Sequence, residues 1–169
     1  MVRDYRPSDL DRILKIWLQA NIQAHDFIDR SYWEENSGLV RQLLPQARIL
    51  VWEQGGEIQG FAGIVEENIE GIFVSQQYRS KGIGAMLLQE AKRRFPRLTL
   101  QVYQKNRRAF LFYQREGFAV AEEKTDPATG EMEYQMLWEK GRRKSRINMR
   151  YRMKDVFGIR QILDSFIEK

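Results

Sequence analysis

The chain has 169 residues, a formal net charge of +5, no cysteine and one histidine, His25. A chain without cysteine has no disulfide, thiolate nucleophile or cysteine-ligated zinc, and a single histidine excludes a multi-histidine metal site. No apolar run approaches the roughly 18 residues that a membrane-spanning helix needs, and the first residues lack the apolar stretch of a signal peptide. We therefore expect a cytoplasmic protein of one catalytic or binding domain, with no metal and no membrane contact.

The charge is distributed unevenly along the chain. Residues 1–139 contain 18 Lys and Arg against 20 Asp and Glu, a net charge of −2, whereas residues 140–169 contain 10 against 3, a net charge of +7. This asymmetry predicts a weakly acidic domain over 1–139 and a separate basic appendage over 140–169.

The first half of the domain reads as strand, two helices and three strands. A short strand at 2–5 precedes a helix with Ser8 as its N-cap, and the core-facing positions of that helix are Leu10, Ile13, Leu14, Trp17 and Leu18. We expect a loop at 21–30, a second helix at 31–44 ended by Pro45, a hairpin of strands 48–53 and 57–65, and a third strand at 69–74.

The second half alternates helices with strands. The pattern predicts a helix from Ile83 to Arg94, a strand at 98–103, a helix from Asn106 to Gly117, and strands at 118–124 and 132–138. The resulting order, β-α-α-β-β-β-α-β-α-β-β, predicts an α/β fold whose mixed sheet has helices on both faces.

A glycine-containing loop lies between strand 69–74 and the following helix, with the sequence Arg79-Ser80-Lys81-Gly82-Ile83-Gly84-Ala85. The first N–H groups of a helix have no intrahelical partner, the helix dipole adds positive charge there, and glycine lets a phosphate approach the backbone. Two cationic side chains favour a pyrophosphate ligand. The spacing matches neither a Walker loop nor a dinucleotide fingerprint, and an ordinary strand-to-helix turn remains the alternative.

Two motifs together resemble the GCN5-related N-acetyltransferases, the GNAT family. Arg79-x-x-Gly82-x-Gly84 is similar to the acetyl-CoA loop of that family, and residues 106–118 match its N-x-x-A-x-x-F/L-Y-x-x-x-G-F pattern. The resemblance covers about residues 1–139, and the segments 25–28 and 102–106 are similar to a bacterial subgroup of small, single-domain members. It implies a mixed, mostly antiparallel sheet flanked by helices and splayed around Ile72 and Gln101.

The same resemblance implies direct transfer of the acetyl group of acetyl-CoA to a primary amine, and it assigns roles to individual residues. The backbone of Ile72, Phe73 and Val74 would bind pantetheine, and 79–85 the pyrophosphate. Asn106 would contact the cofactor, and Tyr113 would be the general acid that protonates the departing thiolate. The alternative for Tyr113 is a core aromatic beside Phe112.

The general base departs from the pattern of the family. Many protein N-terminal acetyltransferases of the family carry a glutamate where this chain has Gln101, and an amide is not a useful base. Glu70, on the strand that would bind the cofactor and on the face opposite Phe73, is the candidate base, with Glu66 and Glu67 as weaker ones. In the loop between the first two helices, His25 and Phe27 would line the acceptor pocket, although His25 also fits a surface or capping role.

The tail, 140–169, combines dense positive charge with an apolar helical stripe of Val156, Ile159, Ile162, Leu163, Phe166 and Ile167. A basic linker followed by a helix that docks on its own domain, or on a second subunit in a homodimer, is the interpretation we favour over nucleic-acid binding. Three functions are thus open: acetylation of a protein or small-molecule amine, acetylation of an RNA-borne amine such as aminoacyl-tRNA, and a non-catalytic module that binds coenzyme A or nucleic acid.

Overall fold

The computed structural model describes residues 1–141, which form one seven-stranded sheet and its helices. The strands are β1 (Val2–Asp4), β2 (Arg48–Gln54), β3 (Glu57–Val65), β4 (Asn68–Val74), β5 (Arg97–Tyr103), β6 (Ala119–Thr125) and β7 (Met132–Glu139). The helices are α1 (Leu10–Ala24), α2 (Arg30–Leu43), α3 (Ile83–Arg94) and α4 (Arg107–Arg115). The predicted order of elements and the α/β class are confirmed.

The predictions made for the tail concern residues beyond 141, which lie outside the described part of the chain. The basic linker, the amphipathic helix and the dimer or nucleic-acid contacts assigned to 140–169 therefore stay predictions, as does the domain boundary after 139.

The sheet has the order β1-β2-β3-β4-β5-β7-β6, and β4 and β5 form its one parallel pair within residues 1–141. That pair has two register positions, Asn68 opposite Thr99 and Ile69 opposite Leu100. Beyond Ile69 the two strands separate, although β3 continues to pair with β4 as far as Val74. The mixed, mostly antiparallel sheet with a splay near Ile72 and Gln101 is thus confirmed.

A β-bulge lies in β4 immediately before this separation. Gly63 of β3 is opposite Gly71, and the next residue, Ile64, is opposite Ile69. Glu70 is consequently the extra residue of the bulge. A bulge redirects side chains locally and increases the strand twist, so the regular alternation that would place Glu70 and Phe73 on opposite faces does not hold here.

Two apolar clusters cover the opposite faces of the sheet. Helices α1 and α2 pack on one face around Ile13, Ile16, Trp33 and Phe61. Helices α3 and α4 pack on the other, around Ile83, Leu87, Leu88, Leu100, Tyr113 and Met136. This arrangement fixes α1 and α2 on one side of the β4–β5 cleft and α3 and α4 on the other.

Two details of α1 differ from the expectation. The chain enters the helix through a 3-10 turn at Pro7–Asp9, and the carboxylate of Asp9, rather than the Ser8 hydroxyl, accepts the Arg6 backbone N–H at 2.7 Å. The helix also continues to Ala24, through the first part of the predicted loop. Asn21 extends it because its side chain is buried and donates to the Trp17 carbonyl, 3.0 Å away.

Asp9 also forms a largely buried ion pair with Arg3 of β1, at 2.7 Å. Hydrogen bonds from Arg3 and from the Arg6 amide hold the pKa of Asp9 below its ordinary value, against the opposing effect of burial. Because the folded-state pKa is lowered, this stabilisation is present above about pH 4 and is lost as the pH falls through the pKa of the folded protein.

Replacing Arg3 by leucine is expected to lower the free energy of unfolding by about 3–5 kcal/mol at pH 7, because it leaves a buried carboxylate without its cation. The deficit should narrow as the pH falls and Asp9 becomes protonated. Urea unfolding at pH 7 and pH 4 measures both effects. The control is Arg30→Leu, since the Arg30–Glu34 pair is exposed and such pairs contribute little; equal losses in the two variants would contradict the prediction.

Candidate active site

The strand β4 leads directly into the glycine loop. After Val74 the chain makes a 3-10 turn at Gln76–Tyr78 and reaches Arg79, whose Nε donates to the Val74 carbonyl at 3.1 Å. The half of β4 that contains Ile72, Phe73 and Val74 borders the cleft, because β5 has diverged from it. Backbone groups on that edge are therefore positioned to bind an extended ligand, as a further strand would.

The loop turns into α3 at Gly82, which caps the helix in a left-handed conformation with φ of +81°. Glycine adopts this conformation without strain, and a Cβ at this position would have open space around it. The first N–H groups of α3, on Ile83, Gly84 and Ala85, follow immediately and lack intrahelical acceptors. The loop thus presents backbone donors and a helix N-terminus, which together form an anion-binding geometry.

Helix α4 brings the second sequence motif against the first. Arg108 Nη2 donates to Ser80 Oγ at 3.1 Å, and the Phe112 ring packs beside Gly84, its Cζ lying 3.6 Å from where a Cβ on that glycine would be. The predicted loop residues and α4 therefore form one site, on the α3–α4 side of the cleft.

Arg108 is a residue of this site that the sequence reasoning missed. Arg107 and Arg108 open α4, although cations are unfavourable at the positive N-terminus of a helix. This mismatch was the available signal, since an anionic ligand would relieve it. Burial, together with the nearby Arg108, lowers the pKa of Arg79 below its ordinary value. A bound anion would offset both effects.

Tyr113 lies in the last turns of α4 and is 7% exposed. Its ring packs edge-on against Phe112 and Phe118, with centroids 5.1 and 5.7 Å away. Burial raises the pKa of its phenol well above the ordinary value. The phenol is therefore protonated throughout the neutral and moderately alkaline range. The side chain thus packs in the core beside Phe112, as one interpretation expected, and the role of Tyr113 as the acid stays a prediction.

On the other side of the sheet, a cavity of about 70 Å³ lies between α1, α2 and the strands β3 and β4. Five aromatic side chains line it, accompanied by the polar residues Asn21, Asn36 and Glu70; the aromatics are Trp17, Tyr32, Trp33, Phe61 and Phe73. Sequence reasoning assigned Trp17 only to the helix core and did not single out the aromatics of α2. Two adjacent aromatic residues, Tyr32 and Trp33, in the first turn of α2 were the available signal for such a cavity.

The expectation that Glu70 and Phe73 lie on opposite faces of β4 is wrong, since both line this cavity. The bulge at Glu70 changes the alternation, and the Phe73 ring folds back over Gly71 so closely that a Cβ there would clash with Phe73 Cζ. The Glu70 carboxylate accepts a hydrogen bond from Asn68 Nδ2 at 2.7 Å, which orients it. Glu66 and Glu67 are in the turn before β4 and do not line the cavity.

His25 and Phe27 lie in the short loop between α1 and α2, as predicted, and they contact one another. The His25 ring stacks on Trp33 with centroids 5.2 Å apart, and packs edge-on against Phe27 and Tyr103. Its Nε2 is 3.2 Å from Nδ2 of Asn106, the N-cap of α4. Neither His25 nor Phe27 is among the residues that line the cavity, but the loop adjoins it through Trp33. Through Asn106 the loop reaches the side that contains Tyr113.

Comparison with known proteins identifies the family. The model of the acetyltransferase (GNAT) family matches residues 10–118, well over half of the chain. The chain belongs to the GNAT acetyltransferase family. As a GNAT enzyme it transfers an acetyl group from acetyl-CoA to an amine, and the sequence-based prediction of this activity and cosubstrate is confirmed.

The similarity of this GNAT acetyltransferase to individual proteins spans most of its length. It is 39% identical over 124 residues to the peptidyl-lysine N-acetyltransferase YiaC of Escherichia coli, covering 72% of this chain and 85% of YiaC. The solution structure of apo YjaB from Escherichia coli superimposes with a TM-score of 0.72 at 26% identity, covering 81% of this chain and 95% of YjaB.

A further solved structure shares the fold of this GNAT acetyltransferase. The PaiA N-acetyltransferase of Thermoplasma acidophilum, in complex with coenzyme A, has a TM-score of 0.69 at 21% identity, with 82% of this chain and 98% of PaiA covered.

Within residues 1–141, no helix has the length and apolar character needed to cross a bilayer, and no cluster of three or more His, Asp or Glu side chains is arranged to hold a metal ion.

Proposed function

We propose that this GNAT enzyme acetylates lysine side chains of proteins, with acetyl-CoA held in the β4–β5 cleft and the lysine chain in the aromatic cavity. The observation that carries the proposal is the composition of that cavity, aromatic side chains around one oriented carboxylate, next to the strand that borders the cleft. The similarity to a peptidyl-lysine N-acetyltransferase at 39% identity supports the same substrate class.

The fit of acetyl-CoA is supported by the chain's own residues. The edge of β4 at Ile72, Phe73 and Val74 offers backbone groups to the amides of pantetheine, and the donors and cations of the loop, with Arg108, complement a pyrophosphate. The loop residues assigned to this role are Arg79, Ser80, Lys81, Gly82, Ile83, Gly84 and Ala85. When bound, the cosubstrate supplies the acetyl thioester, and Asn106 at the start of α4 would contact it.

The cavity suits the chemistry of a lysine side chain. Its four methylene groups are apolar and pack favourably against aromatic rings, and its ammonium is attracted to aromatic faces and to a carboxylate. A small polar amine would leave most of this aromatic surface uncovered, so a long aliphatic amine fits better.

Glu70 is the proposed general base. Among residues 1–141 it is the charged residue that lines the cavity, and Asn68 orients its carboxylate. Gln101 lies on the neighbouring strand β5 and is an amide, which cannot take the proton. A carboxylate at this position removes the proton from the ammonium, directly or through water, so that the neutral amine attacks the acetyl carbonyl.

Tyr113 is the proposed general acid. An acid has to be protonated before it acts, and burial ensures this by raising the pKa of the phenol.

The cytoplasmic location expected from the sequence is part of the same proposal. The alternative acceptor, an RNA-borne amine, depends on the basic tail, which lies outside the described residues.

The acceptor class is tested with one peptide in four forms, assayed with acetyl-CoA and mass spectrometry. The forms are a blocked N-terminus with an internal lysine, the same peptide with ornithine or arginine in place of lysine, and a free N-terminus without lysine. We expect acetylation of the lysine form, weaker acetylation of the ornithine form, which is one methylene shorter, and none of the others. Acetylation of the free N-terminus alone would overturn the proposal.

Glu70→Gln is expected to lower kcat/KM for the lysine peptide by about 10²–10⁴-fold at pH 7. Raising the pH should recover part of the rate, because more of the amine is then already neutral. Glu67→Gln is the matched control, since Glu67 lies three residues away, outside the cavity. Equal activity of the two variants, or a Glu70→Gln deficit that does not diminish with pH, would exclude Glu70 as the base.

A further inference from the structure

The contact between His25 and Asn106 joins two parts of the site that are 81 residues apart in sequence. His25 follows the last residue of α1, and its backbone N–H donates to the Asn21 carbonyl at 3.0 Å, which closes that helix. Asn106 precedes α4, the helix that contains Tyr113. The contact therefore links the loop on the acceptor side to the helix with the proposed acid.

The orientation of the Asn106 amide is determined by the helix that it caps. Its side-chain oxygen accepts the backbone N–H of Ala109, 3.2 Å away. The NH2 group is then the end that faces His25, at 3.2 Å from Nε2. An amide NH2 only donates, so Nε2 of His25 has to accept, which requires a neutral ring with its proton on Nδ1.

We infer that His25 is a positioning residue, whose neutral Nδ1-protonated ring accepts a hydrogen bond from Asn106 and thereby holds the N-cap of α4 against the acceptor loop. The aromatic contacts support this role because they fix the plane of the ring. Trp33 stacks on it at an interplanar angle of 26°, and Phe27 and Tyr103 meet it edge-on at 80° and 81°. The ring cannot rotate away without breaking all three contacts.

Protonation of Nε2 removes this hydrogen bond, since two N–H groups then face each other. The Asn106 amide then has to rotate, and α4 loses the hydrogen bond from the Ala109 N–H to the Asn106 side-chain oxygen. The charged and titratable groups on the surrounding elements are Asp26 and Asp29 of the loop, the paired Arg30 and Glu34 of α2, Tyr103 of β5, Lys105 after it and Arg107 of α4. Tyr103 donates to Asp126, and Lys105 pairs with Glu131 and lies over the Phe27 ring.

The first test is ¹⁵N NMR of the histidine ring, which is unambiguous because the chain has one histidine. At pH 7.5 we expect an unprotonated Nε2 and a protonated Nδ1. Asn106→Asp keeps an oxygen for the Ala109 amide but replaces the donor facing the ring with an acceptor. In that variant the proton should be found on Nε2, and the midpoint of the ring titration should move to higher pH.

Gln104→Glu adds the same charge two residues away and is the matched control. A wild-type ring protonated on Nε2, or equal titration midpoints in Asn106→Asp and Gln104→Glu, would overturn the inference. This measurement does not depend on acetyl transfer.

The second test concerns coupling to catalysis and rests on the proposed function. His25→Phe keeps an aromatic ring but lacks the acceptor, and we expect a kcat lower by about five- to tenfold with little change in KM for acetyl-CoA. The fall of kcat that accompanies protonation of His25 in the wild type should be absent in this variant, whereas His25→Gln, which retains an acceptor oxygen, should recover part of the rate. An unchanged kcat, or the same decline of kcat at acidic pH in wild type and His25→Phe, would overturn the coupling. Failure to acetylate any lysine peptide would contradict the proposed function, whereas the NMR result would still hold.

Discussion

Tyr113→Phe is expected to lower kcat by about 10²–10⁴-fold while acetyl-CoA affinity stays nearly unchanged. The substitution removes one oxygen from a buried ring and leaves its packing against Phe112 and Phe118 intact. The departing thiolate would then have to take its proton from water. Steady-state rates with the lysine peptide, together with calorimetric titration of acetyl-CoA, separate the two effects.

Tyr5→Phe is the control for loss of a phenol, because burial raises the pKa of Tyr5 as well and this residue packs under α1 and α2, outside the site. The pH profile adds a second criterion. Since the pKa of Tyr113 is raised, the wild-type rate should not decline between pH 8 and 9.5 through ionisation of this phenol. Full activity of Tyr113→Phe would remove this residue as the acid.

Gly82→Glu is expected to abolish stabilisation by acetyl-CoA. At a ligand concentration 100-fold above Kd, binding stabilises the wild type by about 2.7 kcal/mol, a rise in Tm of about 5–10 °C for a chain of this size. A glutamate at Gly82 strains the left-handed cap and places a negative charge where the pyrophosphate would lie. Thermal unfolding with and without acetyl-CoA gives the difference.

The matched control is Gly55→Glu, because Gly55 is also in the left-handed region, with φ of +61°, and has open space around it in the β2–β3 turn. This variant should lose intrinsic stability similarly and retain the full ligand-induced rise. A full rise in Gly82→Glu would mean that acetyl-CoA binds elsewhere.

Local sequence patterns predicted the elements well where strand or helix periodicity was regular. Helix α3, for example, begins at Ile83 and ends at Arg94 as predicted. Its signals, Gly82 at the start and the helical spacing of Ile83, Leu87 and Ala91, lie within the segment itself. The prediction failed at Glu70, since a bulge depends on how two strands pair and not on either strand alone. It also failed at Asn21, where a buried side-chain hydrogen bond to the preceding turn extends α1.

The site was predictable to the extent that its residues are consecutive. The loop 79–85 and the segment 106–118 could be recognised as motifs, but their contact through Arg108 and Ser80 is tertiary. The aromatic cavity draws on four different elements, so neither helical nor strand periodicity marks it. His25 and Asn106 were both identified, but their proximity follows from the arrangement of the loop and α4.

The short pairing between β4 and β5 has a consequence for the folded protein as a whole. Two register positions, supported by the hydrogen bonds from Thr99 to Asn68 and to the Glu67 carbonyl, join a four-stranded half to a three-stranded half. A ligand lying along the open edge of β4 would form hydrogen bonds with backbone groups that β5 leaves unpaired with β4 there. The cosubstrate would then act as an eighth, non-covalent strand that joins the two halves of the sheet. Its binding would make the enzyme more rigid, and its release would make the enzyme less rigid.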